Sequence, residues 1–230
     1  MSSVATLYTR IGRRIGDPNA DEVATGAGSV MLDWINIVYN DVALLTDCFQ
    51  QSDTVTGDAT AESFVLTPTA LTNLSADETL IRVINVVNKT SGITYRSVSV
   101  AEWHGWRNQI VVNSLSGVYV FTVFGYGDTG RAIHILPVVA NTATVTLEYS
   151  FTETALATDG TPAGLLANYD EIFIEGIASI YFDASGNYEE SKMAFDKYMM
   201  WVNKLNKEVG INPVIKPELS SLWRGDVNNK

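Results

Sequence analysis

Thr144-Val145-Thr146-Leu147-Glu148-Tyr149 alternates strictly between polar and apolar side chains. That is the pattern of a strand with one face on a core and the other in solvent. It closes a stretch, from about 53 to 155, in which Val, Thr, Tyr and Phe dominate and turn residues recur at roughly 8–12-residue spacing. Strands are predicted near 61–67, 79–88, 93–98, 110–114, 117–125, 131–138 and 142–152. Ala101-Glu102-Trp103-His104-Gly105-Trp106 interrupts them as a short helix or turn. The stretch reads as an antiparallel sheet or small sandwich.

Helical periodicity lies on both sides of it. Val4, Leu7, Tyr8, Ile11 and Ile15 recur on one face, with Arg10, Arg13 and Arg14 off that stripe, and Gly16-Asp17-Pro18-Asn19 ends the helix. A second helix is predicted from Ser29, as N-cap, to about Phe49. Its face is Met31, Trp34, Ile35, Val38, Val42 and Leu45; Ile37 and Leu44 broaden that face, which predicts burial on more than one side. Beyond a Gly/Thr/Ala connector at 156–166, a helix over 167–184 is apolar nearly all round. Ser185-Gly186-Asn187 separates it from a helix over 188–209 whose stripe is Ala194, Tyr198, Trp201, Val202, Leu205 and Val209. Gly210 is placed as its cap. Pro213 and Pro217 forbid a regular helix in the last twenty residues, which carry Leu219, Leu222, Trp223 and Arg224.

The order is helix, helix, strands, helix, helix, tail. It predicts an α+β fold in which N- and C-terminal helices form a helical bundle, with an inserted antiparallel β-lobe and an extended C-terminal arm. The expected divisions are 1–50, 51–156, 157–210 and 211–230. An irregular tail rich in large apolar groups either folds back on its own subunit or docks into a partner.

Apolar residues make up 46% of the 230 and charged residues 18%. Such a chain can bury a core, and its moderate charge leaves room for subunit interfaces. Residues 1–15 carry a net +3, residues 16–185 a net −15 and residues 186–230 a net +1. The acidic middle cannot grip phosphates by counterion release. It reads either as an ordinary soluble surface or as a channel wall past which DNA slides. No run is long and apolar enough to span a bilayer, and residues 1–15 lack the order of a signal peptide, so synthesis in the cytoplasm is expected. Cys48 stands alone and reads as a small buried hydrophobe.

No arrangement for chemistry stands out, so neither catalysis, a metal nor a cofactor is expected. His104 and His134 are the only histidines; the first, between Trp103 and Trp106, reads as a packing residue, and the second as a strand residue facing solvent or a partner. Gly125, Gly127 and Gly130 match a dinucleotide-binding pattern, but that pattern needs a helix after it, and Arg131–Val138 reads as a strand. A hairpin turn explains the glycines better. Asp170-Glu171 and Glu189-Glu190 open helices, where the helix dipole favours acids.

Taken together, the chain resembles the phage head-to-tail adaptor proteins, a connector family similar in plan to the tail tubular A proteins of podoviruses. The short Arg-bearing helix ending at Gly16-Asp17, the amphipathic helix at 29–49, and the segments Thr79–Asn88, Gly92–Trp106 and Tyr119–Tyr149 carry the likeness. Pro137, Val145, Leu147 and Tyr149 sit at the expected places, as do Tyr169 to Tyr181 and Ala194 to Leu205 in the closing helix pair. One departure is Thr152-Glu153-Thr154-Ala155, where the family often has prolines.

The resemblance implies a virion protein at the head–tail junction. Its identical subunits would form a ring, usually of twelve, clamped to the portal protein and receiving a downstream tail or nozzle protein. Genomic DNA would pass through without specific binding, and no membrane is involved. Ile215, Pro217, Leu219, Leu222, Trp223 and Arg224 would form the portal-binding arm, and Arg10, Arg13 and Arg14 are candidate ring or portal contacts. Competing readings are another virion ring protein (terminator, stopper or collar), a carbohydrate-binding lobe using Trp103, Trp106, Tyr119 and Tyr126, or an enzyme relying on carboxylates.

Overall fold

Helix ends fall where the capping residues stand. Helix α1 (Val4–Ile15) starts where the Ser3 hydroxyl accepts the Thr6 amide at 3.4 Å, and stops at Gly16, whose φ of 87° suits glycine. Helix α2 (Val30–Thr46) starts where the Ser29 hydroxyl accepts the Leu32 amide at 3.2 Å. The computed structural model describes residues 2–19, 23–56, 63–66, 71–113, 117–125, 131–137, 144–162, 166 and 168–209. Further helices among them are α3 (Val100–Asn113), α4 (Asp170–Ala184) and α5 (Tyr188–Val209). The strands are β1 (Gln50–Thr56), β2 (Ser63–Leu66), β3 (Thr79–Asn88), β4 (Ile93–Ser97), β5 (Val120–Phe124), β6 (Arg131–Leu136) and β7 (Thr144–Thr152). The fold is α+β, and the chain divides into two compact units. One is Met1–Thr46 with Thr158–Thr161 and Leu165–Lys230; the other is Asp47–Ala157 with Pro162–Gly164.

In the first unit α1, α2 and α5 all pack on α4. Eight consecutive residues of α4, Ile172 to Ser179, are buried. Gly176 makes the close approach possible: a Cβ there would stand 3.1 Å from Val38 of α2 and 3.2 Å from Tyr198 of α5. Gly12 plays a similar part at the end of α1, since a Cβ on it would meet the Asp17 carbonyl oxygen at 2.6 Å. Asp17 is fixed there, because its amide donates to the Gly12 carbonyl and its carboxylate accepts the Val23 amide, both at 2.8 Å.

The second unit holds a seven-stranded sheet in the order β1-β7-β3-β4-β5-β6-β2. Val145, Leu147, Tyr149 and Phe151 of β7 point into its core as the alternation predicts. The sheet is mixed, which corrects the expected antiparallel lobe: β4 and β5 pair in parallel, Arg96 with Val120 and Ser97 with Phe121. A parallel pair needs a long crossover, and α3 supplies it. The Ile110-Val111-Val112 run, read as a strand, therefore lies in the last turns of that helix. Ser99 caps α3 through the Glu102 amide, and Trp103 anchors it against Val98, Val120 and Leu136. Tertiary anchoring outweighs the β-propensity of three branched residues.

Strand β1, Gln-Gln-Ser-Asp-Thr-Val-Thr, went unseen in the sequence because only one of its residues, Asp53, is buried. The Asp53 carboxylate accepts from the Thr72 amide at 3.2 Å, the Thr72 hydroxyl at 2.7 Å, the Asn73 amide at 3.1 Å and the Tyr149 phenol at 2.8 Å. Burial, and then Asp53, keep that phenol protonated by raising its pKa. Asp47 binds the Ser150 hydroxyl at 2.7 Å and pairs with Arg82. The glycine pattern at 125–130 is followed by a strand, β6, which pairs antiparallel with β5; residues 126–130 themselves lie outside the described residues. Cys48 is buried, just past the end of α2.

Replacing a helical glycine by alanine ordinarily stabilises by up to about 1 kcal/mol. Gly12→Ala is expected to do the opposite here, costing about 1–3 kcal/mol because the obstacle is a backbone carbonyl. Urea unfolding of the purified chain measures it.

Candidate functional site

The arginines of α1 are placed by the spacing of the helix. Arg10 and Arg14, one turn apart, face α4, where the acids at 170, 171 and 175 recur at helical spacing. Arg10 pairs with Asp170 and Glu171, and the Ser2 hydroxyl also donates to Asp170. Arg14 forks onto Glu175, with Nη2 to Oε2 at 3.1 Å and Nε to both oxygens at 3.2 and 3.3 Å, and lies over the Phe182 ring. Glu175 is only 7% exposed; Lys197 of α5 reaches it at 3.7 Å. The helix-opening acids thus tie α1 to α4 in addition to matching the dipole. Arg13 is exposed and has no hydrogen bond or ion pair among the described residues. The arm residues Ile215, Pro217, Leu219, Leu222, Trp223 and Arg224 lie outside the described residues.

Opposite its core face, α2 carries Val30, Ile37 and Leu44, seven residues apart and 50%, 52% and 55% exposed. The expectation that Ile37 and Leu44 broaden the face and bury the helix on more than one side is not met among the described residues: Met31, Ile35, Val38 and Val42 take the inward face, and a straight helix cannot turn both faces to one core. Helix α5 repeats the pattern with Met193 and Met200, 51% and 56% exposed, opposite its buried Ala194, Tyr198, Val202 and Leu205. These methionines were missed because the helix was read only for its buried stripe. The clue was their seven-residue spacing between the lysines.

The aromatic cluster around Trp103 is used internally. Trp103 is 2% exposed and packs edge-on against Phe124 and His134, with Phe124 and His134 stacked at 3.7 Å. The Arg107 guanidinium lies 5.7 Å from the centroid of the Trp103 ring, and His104 meets the same ring edge-on from the surface. Trp106 packs on the same cluster. Trp103 therefore offers no open ring face to a sugar. Among the described residues no group of three or more His, Cys, Asp or Glu is placed to hold a metal ion, and no helix is long and apolar enough to cross a membrane.

Asp41 on the flank of α2 accepts the Tyr198 hydroxyl at 2.6 Å. Burial raises its pKa, and the hydrogen bond offsets part of that rise. A carboxyl whose folded pKa lies above its unfolded value helps folding most at low pH, and that help is lost as pH rises through the folded value.

Two outcomes are expected from these contacts. Arg14→Ala leaves Glu175 buried with only a distant lysine and should cost about 3 kcal/mol; adding Glu175→Gln should recover part of the loss in a double-mutant cycle. Asp41→Asn keeps an acceptor for Tyr198 without the charge. Its stability relative to the parent should rise between pH 4 and pH 7 in urea titrations, whereas Asp41→Ala should be less stable at both.

The comparison with known families bears on what such surfaces serve. Residues 2–212 match the family described as SU10 adaptor protein. No curated protein matches the chain. The matched stretch takes in every helix and strand described above, from the Arg-bearing α1 to the end of α5. The family is one of phage adaptors, virion components that contact other virion proteins. With nearly its whole length matched, this chain belongs to the SU10 adaptor protein family.

Proposed function

We propose that the chain is a head–tail connector subunit of a tailed phage. Copies of it, twelve on the family plan, form a ring beneath the portal protein. The genome passes through the ring without specific binding, and the lower face receives a tail or nozzle protein. The observation that carries this reading is the outer side of α2. Three aliphatics are half exposed on a helix whose other side is fully buried, which suits a subunit that completes its burial by assembly. The net −15 over residues 16–185 supports a bore that does not hold DNA.

The chain acts as scaffold and catalyses nothing in this reading. Its buried carboxylates have structural employment: Asp53 organises β1, the 72–73 turn and Tyr149, Asp47 holds Ser150 and Arg82, and Glu175 holds Arg14. A terminator, stopper or collar would share the ring but would not bind portal.

That difference sets the experiment. The tail at 211–230 carries Trp223 and Arg224 among aliphatics, residue types that dominate interface energies. Deleting residues 212–230 should abolish co-purification with the portal protein while circular dichroism and thermal unfolding stay those of the folded chain. Trp223→Ala should weaken the same interaction by about 2 kcal/mol or more. Undiminished portal binding by the truncated chain would refute the portal-adaptor assignment of the arm.

A further inference from the structure

The two outward apolar stripes of the helical unit differ in the charge beside them. On α2, Val30, Ile37 and Leu44 form a line about 21 Å long at 1.5 Å per residue. The exposed charge on that side is Asp33, and Val30–Thr46 contains no lysine or arginine. On α5, Met193 and Met200 hold the corresponding position, and Met200 is flanked by Lys197 and Lys204 one turn before and after it; Lys197 also reaches Glu175 at 3.7 Å and Lys204 lies over Trp201 and Tyr169, but both stay exposed. Asp196 and Glu189 border the other side of the methionine line. Methionine is flexible and packs readily against aliphatic side chains. Both helices have their inner sides on α4, so among the described residues both outer stripes stay exposed.

We infer that the α2 stripe Val30/Ile37/Leu44 of one copy packs against the α5 stripe Met193/Met200 of a second copy, with Asp33 of the first near the lysines of the other. This assignment rests on the ring-forming function proposed above and names the surfaces that make the ring. It favours a head-to-tail contact over a two-fold one. An antiparallel α2–α2 pairing centred on Ile37 would leave both methionines bare and would put no basic residue beside Asp33, since Val30–Thr46 has none. A contact between two different surfaces leaves the pair with one free α2 stripe and one free α5 stripe, so it propagates until a ring closes. Five apolar side chains fall well short of the roughly 800 Å² per partner of a stable complex. The contact therefore closes where copies are held side by side, as on a portal.

Cross-linking tests it. In full-length chain carrying Cys48→Ala, Ile37→Cys and Met200→Cys subunits are mixed, assembled with portal protein and treated with a short bis-maleimide. A covalent dimer is expected from the mixture and not from either variant alone, and the doubly substituted chain should give a ladder of multimers. Ile37→Glu should lower ring yield at least tenfold while leaving the monomer's thermal unfolding unchanged. Dimers from Ile37→Cys alone, or its attachment to portal protein, would overturn the pairing. So would the absence of a dimer from the mixture in particles where electron microscopy shows rings; in that case the ring function stands and only the assignment of its surfaces fails. Particles without rings would sink both.

Discussion

The burial of α4 on several sides governs the helical unit. Ile172, Phe173, Ile177 and Ala178 leave the helix almost no polar face, so it must be surrounded. Gly176 lets Val38 and Tyr198 come within van der Waals contact of its backbone. Glu175, in the middle of this apolar run, would be very costly alone, and Arg14 reaches it from α1 with Lys197 assisting from α5. The same few residues therefore force three helices together and decide which side of α1 faces inward.

Once those inner faces are committed, what remains outside follows. A seventeen-residue helix as apolar as α2 has more hydrophobic surface than one contact face can cover. Val30, Ile37 and Leu44 are the surplus. In a lone soluble domain such a line would be a liability; in a subunit of a larger particle it is a means of association. Met193 and Met200 stand in the same relation to α5.

The sheet is organised by a different physics, with carboxylates at its inner corners. Asp53 and Asp47 are buried and hydrogen-bonded, and they attach the polar strand β1 and the turn at 72–73 to β7. Apolar packing is concentrated on the β7 alternation and on the cluster around Trp103. Parallel pairing of β4 with β5 depends on α3 as a crossover, so Trp103 serves as the fastener of a helix to a sheet.

Elements with local signals were legible in the sequence alone: the capped α1, the long apolar α4, the Ala194-to-Val202 stripe of α5 and the alternation of β7 all follow from periodicities of 3.6 and 2. So did the absence of a helix after the glycines at 125–130. The nature of the chain as an adaptor was readable too, through the succession of those elements. Strand β1 and the helical course of Ile110-Val111-Val112 were not, because backbone pairing across the sheet and an anchor at Trp103 override what the side chains prefer locally. Nor could the sequence decide whether Ile37 and Leu44, as apolar as the inward-facing Met31, Ile35, Val38 and Val42, are covered as well. Only the packing of three helices on α4 decided that, because each helix has one side to give and the remainder must meet water or another molecule.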